Sequence, residues 1–394
     1  MKLAKAIREI VAQPMPLTDL TGEEKLFQSS VQQFAREQVA PLARDMDEKG
    51  QFRRELIDEF FRLGLMGIQV PEFLGGSGGS FFNSVLATEQ LASVDPSAAL
   101  IVETQNIAVN NALLRWATED QKNCYLPSLA KDTVGAFAVS EAGSGSDAFS
   151  MSSVALDKGE FFLLRGRKLW ITNAYEAGLF LVFANAQPEA GYRGITAFVV
   201  ERNYPGFQIG KKEAKLGIRS SSTCELLLED CRVPRKNVLG KIGEGYKILL
   251  ETVNEGRIGI GAKMIGLAQG ALDHAVQYAK ERKQFGKPIA DFQAIQFQLA
   301  EIATDIEAAR LMVYNAARLH EEGRQFRKED AMAKYFSSQV AERTASFAIE
   351  IFGGYGYTRD CPVEKLYRDA KIGKIYEGTS NIQLQSIAKI ILGS

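Results

Sequence analysis

The hydrophobic period changes twice along the chain, and that order of periods limits the fold more than any single motif. Over about residues 22–131, Leu26, Val31, Phe34 and Val39 recur near helical spacing, with breaks at Pro41 and Gly50. Leu56, Phe60, Leu63 and Leu65 continue the pattern, and two further helices are expected over residues 80–93 and 96–116. Over about residues 133–238 the runs shorten and become β-prone, at 134–139, 152–156, 161–164, 179–183, 195–200 and 224–228. Turn signals such as Asp157-Lys158-Gly159 separate them. From Gly243 long amphipathic runs return, at 246–282, 292–319 and 328–352. Helices, then strands, then helices, with no βαβ alternation, argue against a Rossmann domain, and the P-loop pattern is absent. The expected architecture is an α+β multidomain chain: an N-terminal all-α domain (residues 1–132), a middle antiparallel β-barrel (133–242) and a C-terminal four-helix bundle (243–394).

Composition narrows the chemistry. Lys+Arg 47 against Asp+Glu 48 leaves a net charge of -1, which argues against nucleic acid as the main partner. Only two histidines exist, His274 and His320, so base chemistry falls to carboxylates and no metal site is expected. Cys124, Cys224, Cys231 and Cys361 form no CxxC pair, consistent with a reducing compartment and no disulfides. No apolar run reaches transmembrane length. Residues 1–11 are basic, amphipathic and interrupted by Glu9; they read as a frayed first helix and not as a secretory signal. Gly75-Gly76-Ser77-Gly78-Gly79 follows no predicted strand and reads as a surface loop, not a nucleotide cradle.

Five motifs remain. In Ile375-Tyr376-Glu377-Gly378-Thr379-Ser380-Asn381 an acid and a glycine precede a helix that Thr379 or Ser380 is placed to cap, which makes Glu377 a candidate base. Val139-Ser140-Glu141-Ala142-Gly143-Ser144-Gly145-Ser146 follows a strand, and its two glycines let backbone N–H groups converge as an anion nest. Trp170, with Ile171, Thr172 and Asn173 after it, offers a flat surface with polar neighbours. Arg282 to Pro288 ends a long helix with cations. Glu350-Ile351-Phe352-Gly353-Gly354 permits close backbone approach.

In this order, over residues 18–392, the motifs resemble the acyl-CoA dehydrogenase family. Leu65-Met66-Gly67-Ile68, Asn254-Glu255-Gly256-Arg257-Ile258 and Tyr314-Asn315-Ala316-Ala317 are most similar to its short/branched-chain members. The resemblance implies FAD-dependent oxidation of an acyl-CoA thioester to trans-2-enoyl-CoA, with electrons passed to an electron-transfer flavoprotein. Glu377 would take the α-proton. Its backbone N–H, with a flavin hydroxyl, would polarise the thioester carbonyl.

Flavin contacts would come from Phe137, Val139, Ser140, Gly145, Ser146, Trp170, Ile171, Thr172, Thr379, Ser380 and Asn381. Arg282, Phe285, Gln293, Glu350, Gly353 and Gly354 match positions reaching the FAD of a neighbouring subunit in a homotetramer. Ser146, Tyr192, Tyr246, Asn254, Glu255, Gly256, Arg257, Tyr376 and Gly378 would face the acyl-CoA. Some relatives carry the base on the long helix just before the position of Arg257. Here that position is Gly256, and Glu255 faces about 100° away, which favours Glu377. Glu141 reads as a loop anchor. The resemblance leaves bacterial cytoplasm or mitochondrial matrix open. It also leaves an acyl-CoA oxidase or flavin monooxygenase on the same fold, or a non-catalytic acyl-CoA-binding protein, as alternatives.

Overall fold

The computed structural model describes residues 16–393; the frayed helix expected over residues 1–11 lies outside them. The N-terminal helices are α1 (Gly22–Phe34), α2 (Ala40–Lys49), α3 (Arg54–Arg62), α4 (Phe81–Ala92), α5 (Pro96–Glu103), α6 (Asn111–Trp116) and α7 (Glu119–Lys131). Capping boxes fix three of the starts: Thr21 with Glu24, Ser80 with Asn83 and Thr118 with Gln121. Residues 75–79 form a loop leading into α4.

The single helix expected over residues 96–116 is broken by a π-helical stretch, Thr104–Asn110, between α5 and α6. Its side chains explain the break. Asn106 Nδ2 donates to Leu65 O and its Oδ1 accepts from Ile68 N–H, while Asn110 Nδ2 donates to Met66 O. Gln105 donates to Leu129 O and accepts from Gly135 N–H. The stretch is pulled onto its neighbours by side-chain bonds that a helical period does not register. Such π turns frequently mark functional sites, and this one directly follows Glu103.

The middle segment holds β1 (Val134–Ala138), β2 (Val154–Asp157), β3 (Phe161–Thr172), β4 (Ala177–Asn185), β5 (Ile195–Glu201), β6 (Phe207–Lys212), β7 (Thr223–Pro234) and β8 (Val238–Leu239). The hydrogen-bonded order is β6-β7-β3-β2-β4-β5-β8, with β1 beside β4. β1 and β4 are parallel, as is a single β2–β4 pair; the other pairs are antiparallel. The sheet is therefore mixed, where an antiparallel barrel was expected, and its ladder is an open path. The chain leaves β1, forms the β2–β3 hairpin and only then returns as β4, so β4 can run alongside β1 in the same direction. β3 also extends past the run at 161–164, because exposed Arg165 and Arg167 alternate with buried Leu164 and Lys168.

The C-terminal helices are α8 (Gly245–Glu281), α9 (Gln293–Glu321), α10 (Arg327–Phe352), α11 (Pro362–Ala370) and α12 (Ser380–Leu392). α8, α9 and α10 pack on one another and α12 lies along α10. α8 is also the seat for α4, α5 and the π stretch, so it joins both helical regions. Glycines allow this. A Cβ on Gly266 would lie 2.2 Å from Glu89 O, and one on Gly270 2.0 Å from Ser93 O. Among the described residues no helix is long and apolar enough to cross a membrane.

One buried ion pair ties the loop after β1 to the sheet. Lys168, wholly buried on β3, donates to Glu141 Oε1 at 2.8 Å and Val139 O at 3.0 Å. Glu141 also accepts from the N–H and Oγ of Ser152, both at 2.6 Å, and from Ser153 N–H at 3.1 Å. This is the loop-anchoring role expected for Glu141. Burial acts to raise its carboxyl, but Lys168 and these donors outweigh it and hold the group at about 2. The folded value is below the ordinary 4.5, so the stabilisation is present above about 4.5 and is lost as pH falls toward about 2. Glu141→Gln is expected to lower unfolding free energy at pH 7 by about 3–5 kcal/mol, since it leaves Lys168 buried and unpaired. In denaturant titrations the gap to wild type should close as pH falls through that window.

Candidate active site

The geometry around Glu377 begins with a cap. Thr379 is the N-cap of α12 and its Oγ1 accepts from Ile382 N–H, as the sequence suggests. Before it, Glu377 and Gly378 both take left-handed backbone angles, φ 49° and 85°. The conformation is ordinary for glycine and uncommon for glutamate, and it persists only where the surroundings impose it. Here the carbonyls are clamped. Gln383 Nε2 donates to Glu377 O at 3.2 Å and Gly378 O at 2.9 Å, and Lys334 Nζ from α10 donates to Gly378 O at 2.5 Å.

The turn aims the Glu377 side chain at α8. A Cβ built on Gly256 would lie 2.1 Å from Glu377 Oε2 and 3.0 Å from its carboxyl carbon. The glycine at 256 and the carboxylate of 377 thus occupy one volume between them. The residue as a whole keeps some exposure, but Oε2 is cut off from solvent and makes no hydrogen bond. Burial pushes the carboxyl above its ordinary range; Lys263, Lys334 and Arg257 pull it back.

Arg257 is held by Asp330 of α10 at 3.3 Å. Burial pushes Asp330 up to about 7 even so. Glu255 looks elsewhere. Its Oε1 meets Arg115 at 2.5 Å and His320 at 3.0 Å, and its Oε2 accepts from Asn111 at 3.2 Å. That carboxylate is fully engaged by helix-packing partners, so of the two acids weighed as base only Glu377 is free. Gln105, Asn106 and Asn110 are likewise committed to the scaffold.

Trp170 owes its position to a bulge. Lys168 pairs with Leu226 and Ile171 with Cys224, so Leu169 and Trp170 stand opposite the single Glu225. Leu169 N–H bonds Ser140 O at 2.8 Å, which draws the loop after β1 beside the bulge. Trp170 itself sits at φ 58° with its side chain 56% exposed, while Ile171 is buried and Thr172 lies between. Gly145 and Ser146 are exposed on the same loop, and Phe137 packs edge-on against Phe183 with centroids 5.0 Å apart. At the start of α12, Ser380 Oγ is buried without a hydrogen-bond partner. Tyr192 and Tyr246, far apart in sequence, meet edge-to-face at 5.3 Å.

A second group gathers elsewhere. Arg282, Gly353 and Gly354 line one hollow of about 550 Å³, with Tyr278, Phe352 and Tyr355. Arg282 lies 5.8 Å over the Tyr355 ring, Phe285 is 94% exposed, and Gln293 and Glu350 are exposed nearby in sequence. Among the described residues no hydrogen bond or ion pair links this group to Glu377.

Sequence reasoning missed Lys263, Lys334 and Gln383. One signal was available: Lys263 is the lone charge in the run Gly259-Ile260-Gly261-Ala262-Lys263-Met264-Ile265-Gly266. Lys334 and Gln383 carry no such mark, since each sits in a helix among other polar residues.

Comparisons with known proteins identify the family. Family descriptions match residues 21–133 (acyl-CoA dehydrogenase, N-terminal domain), 136–231 (middle domain) and 243–392 (C-terminal domain). A short/branched chain specific acyl-CoA dehydrogenase of Rattus norvegicus is 54% identical over 95% of this chain and 87% of its own length. Butyryl-CoA dehydrogenase of Megasphaera elsdenii superposes with a TM-score of 0.92 and 40% identity, over 95% of this chain and 99% of that one. A chain solved in a study of the electron transferring flavoprotein of Acidaminococcus fermentans gives 0.94 and 42%, over 96% and 100%. With all three regions matched and the buried carboxylate in place, the chain belongs to the acyl-CoA dehydrogenase family, whose members are FAD-dependent oxidoreductases.

Proposed function

We propose that the protein removes the α-proton and β-hydride of short or 2-methyl-branched acyl-CoA thioesters, with Glu377 as the base, and passes the electrons to an electron-transfer flavoprotein. The observation that carries this reading is the Glu377 carboxylate, buried against Gly256 with Oε2 free. An α-proton beside a thioester is very weakly acidic, so its base must be desolvated and fixed in place. The left-handed turn and its carbonyl clamps meet the second demand; seating on a helical glycine meets the first. The Glu377 N–H is the chain's own donor for the developing enolate oxygen. Tyr192, Tyr246, Asn254 and Arg257 are assigned to the CoA side, with Ser146, Gly256, Tyr376 and Gly378 completing the substrate surface.

The residues fit FAD. The exposed Trp170 on its bulge, the Ser140–Ser146 loop beside it and the unpartnered Ser380 Oγ would hold it, with Phe137, Val139, Gly145, Ile171, Thr172, Thr379 and Asn381. Bound there, FAD supplies the acceptor for the β-hydride. The assignment of Arg282, Phe285, Gln293, Glu350, Gly353 and Gly354 to the flavin of another subunit in a homotetramer is supported by the exposed Phe285 and Tyr357, which adjoin the hollow-lining Gln284 and Thr358 in sequence, apolar surface of a kind that subunit contacts cover.

Glu377→Gln should retain yellow colour and thioester binding, with flavin reduction slowed about 100- to 10,000-fold in stopped flow. Gly256→Ala should displace the carboxylate and cost about 100-fold in turnover, with helix stability kept or slightly raised. Because burial raises the Glu377 carboxyl, the active carboxylate form is lost as pH falls through a value above the ordinary range. The acid limb of kcat/KM should lie there and vanish in Glu377→Gln. With ferricenium as acceptor, 2-methylbutyryl-, isobutyryl- or butyryl-CoA should outpace octanoyl-CoA; a best rate on octanoyl-CoA contradicts the short-chain assignment. Peroxide formed without added acceptor would favour the oxidase alternative.

A further inference from the structure

α8 presents Gly256, Gly259 and Lys263 as one stripe, at helical spacings of three and four. Glu377 fills the first gap. Glu103, at the end of α5, fills the second: a Cβ on Gly259 would lie 2.7 Å from Glu103 Oε1. Lys263 follows, wholly buried, and a helical side chain leans toward the N-terminus of its helix, here toward the two acids. Among the described residues its Nζ makes no hydrogen bond and no ion pair, and it lies 4.7 Å over the Tyr376 ring. Glu103 Oε1 and the Tyr376 hydroxyl are also buried without hydrogen-bond partners; Glu103 Oε2 has only a long contact from Thr104 Oγ1, 3.4 Å. The CoA-side residues Tyr246 and Asn254 lie on the N-terminal side of Gly256, so an acyl tail runs the other way, toward Gly259 and Lys263.

We propose that Glu103 and Lys263 form a polar end wall of the acyl pocket that selects acyl groups ending in a neutral hydrogen-bonding function, such as a hydroxyl, over alkyl ends of equal size. The inference rests on the acyl-CoA reading of Glu377. An alkyl end leaves Lys263 Nζ and Glu103 Oε1 buried without hydrogen-bond partners, which is the costly arrangement. A hydroxyl accepts from Lys263 Nζ and pairs with Glu103 Oε1. Burial and the charge of Glu377 push Glu103 up to about 8, so it meets a hydroxyl either as donor or as acceptor. A carboxylate end would meet Lys263 but stand beside two acids. Gly259 is three residues beyond Gly256, ~4.5 Å along the helix, which places the polar atom on roughly the fourth or fifth acyl carbon.

The test uses the FAD-loaded enzyme and two isosteric pairs, 4-hydroxybutyryl- against pentanoyl-CoA and 5-hydroxypentanoyl- against hexanoyl-CoA, with glutaryl-CoA as the anionic arm. Wild type should favour the hydroxylated member of at least one pair by about 10-fold or more in kcat/KM. Lys263→Met should abolish or reverse that ratio through KM. Calorimetric binding of the same thioesters to Glu377→Gln gives the ratio without turnover. A wild-type ratio of one, or one favouring the alkyl end, overturns the proposal and leaves the wall to water; this comparison decides even if Lys263→Met does not fold. Preference for glutaryl-CoA overturns the neutral assignment. Failure of every acyl-CoA to reduce the flavin would instead sink the reading of Glu377, and this inference with it.

Discussion

The site depends on a contest for one small volume. A side chain at position 256 and the carboxylate of Glu377 exclude each other, because a Cβ there would stand 2.1 Å from Oε2. The absence of a side chain on a buried helix makes room for an acid delivered from a loop. The acid arrives desolvated against Gly256 of α8, while Lys263 and Arg257 of the same helix act on its charge. The same substitution logic repeats one turn on, where Gly259 admits Glu103. A long helix with glycines at that spacing is thus a receptor for carboxylates as well as a packing element.

What holds the acid in place is distributed over three elements. α10 supplies Lys334 to the Gly378 carbonyl and Asp330 to Arg257. α12 supplies its own capping Thr379 and Gln383. α5 sets Glu103 against Gly259, one turn beyond the acid, and the asparagines of the π stretch are bonded to the Leu65–Ile68 turn, not to the site. The clamps are part-buried hydrogen bonds and an ion pair, and Gly378 O accepts from both Lys334 and Gln383, so the left-handed turn at 377–378 is over-determined. The side proposed for the flavin follows the same rule: a strand bulge exposes Trp170, and the buried Lys168–Glu141 pair ties down the neighbouring loop.

Much of this was legible in the sequence because it rests on local rules. The α–β–α order, the capping threonine and the isolation of Glu377 beside a glycine are one-dimensional signals. Gly256 was legible as the place where a base is missing, though the reason, occupation by the carboxylate itself, needs three dimensions. The parallel β1–β4 pairing was not legible, since strand period says nothing of direction. The π stretch was hidden because Gln105, Asn106 and Asn110 look like ordinary helix residues until their partners, about 24 to 44 positions away, are known. Lys334 and Gln383 act on backbone carbonyls, and no composition rule marks a residue for that.

The central claim is that the Glu377 carboxylate, seated on Gly256, faces the α-carbon of a bound thioester. A crystal structure of the flavin-loaded protein with a non-oxidisable acyl-CoA analogue measures this directly. The account predicts a Glu377 oxygen about 3–3.5 Å from carbon two, still within the Gly256 gap. A Glu377 side chain swung out to solvent, with Glu103 or another acid standing at carbon two, would contradict it.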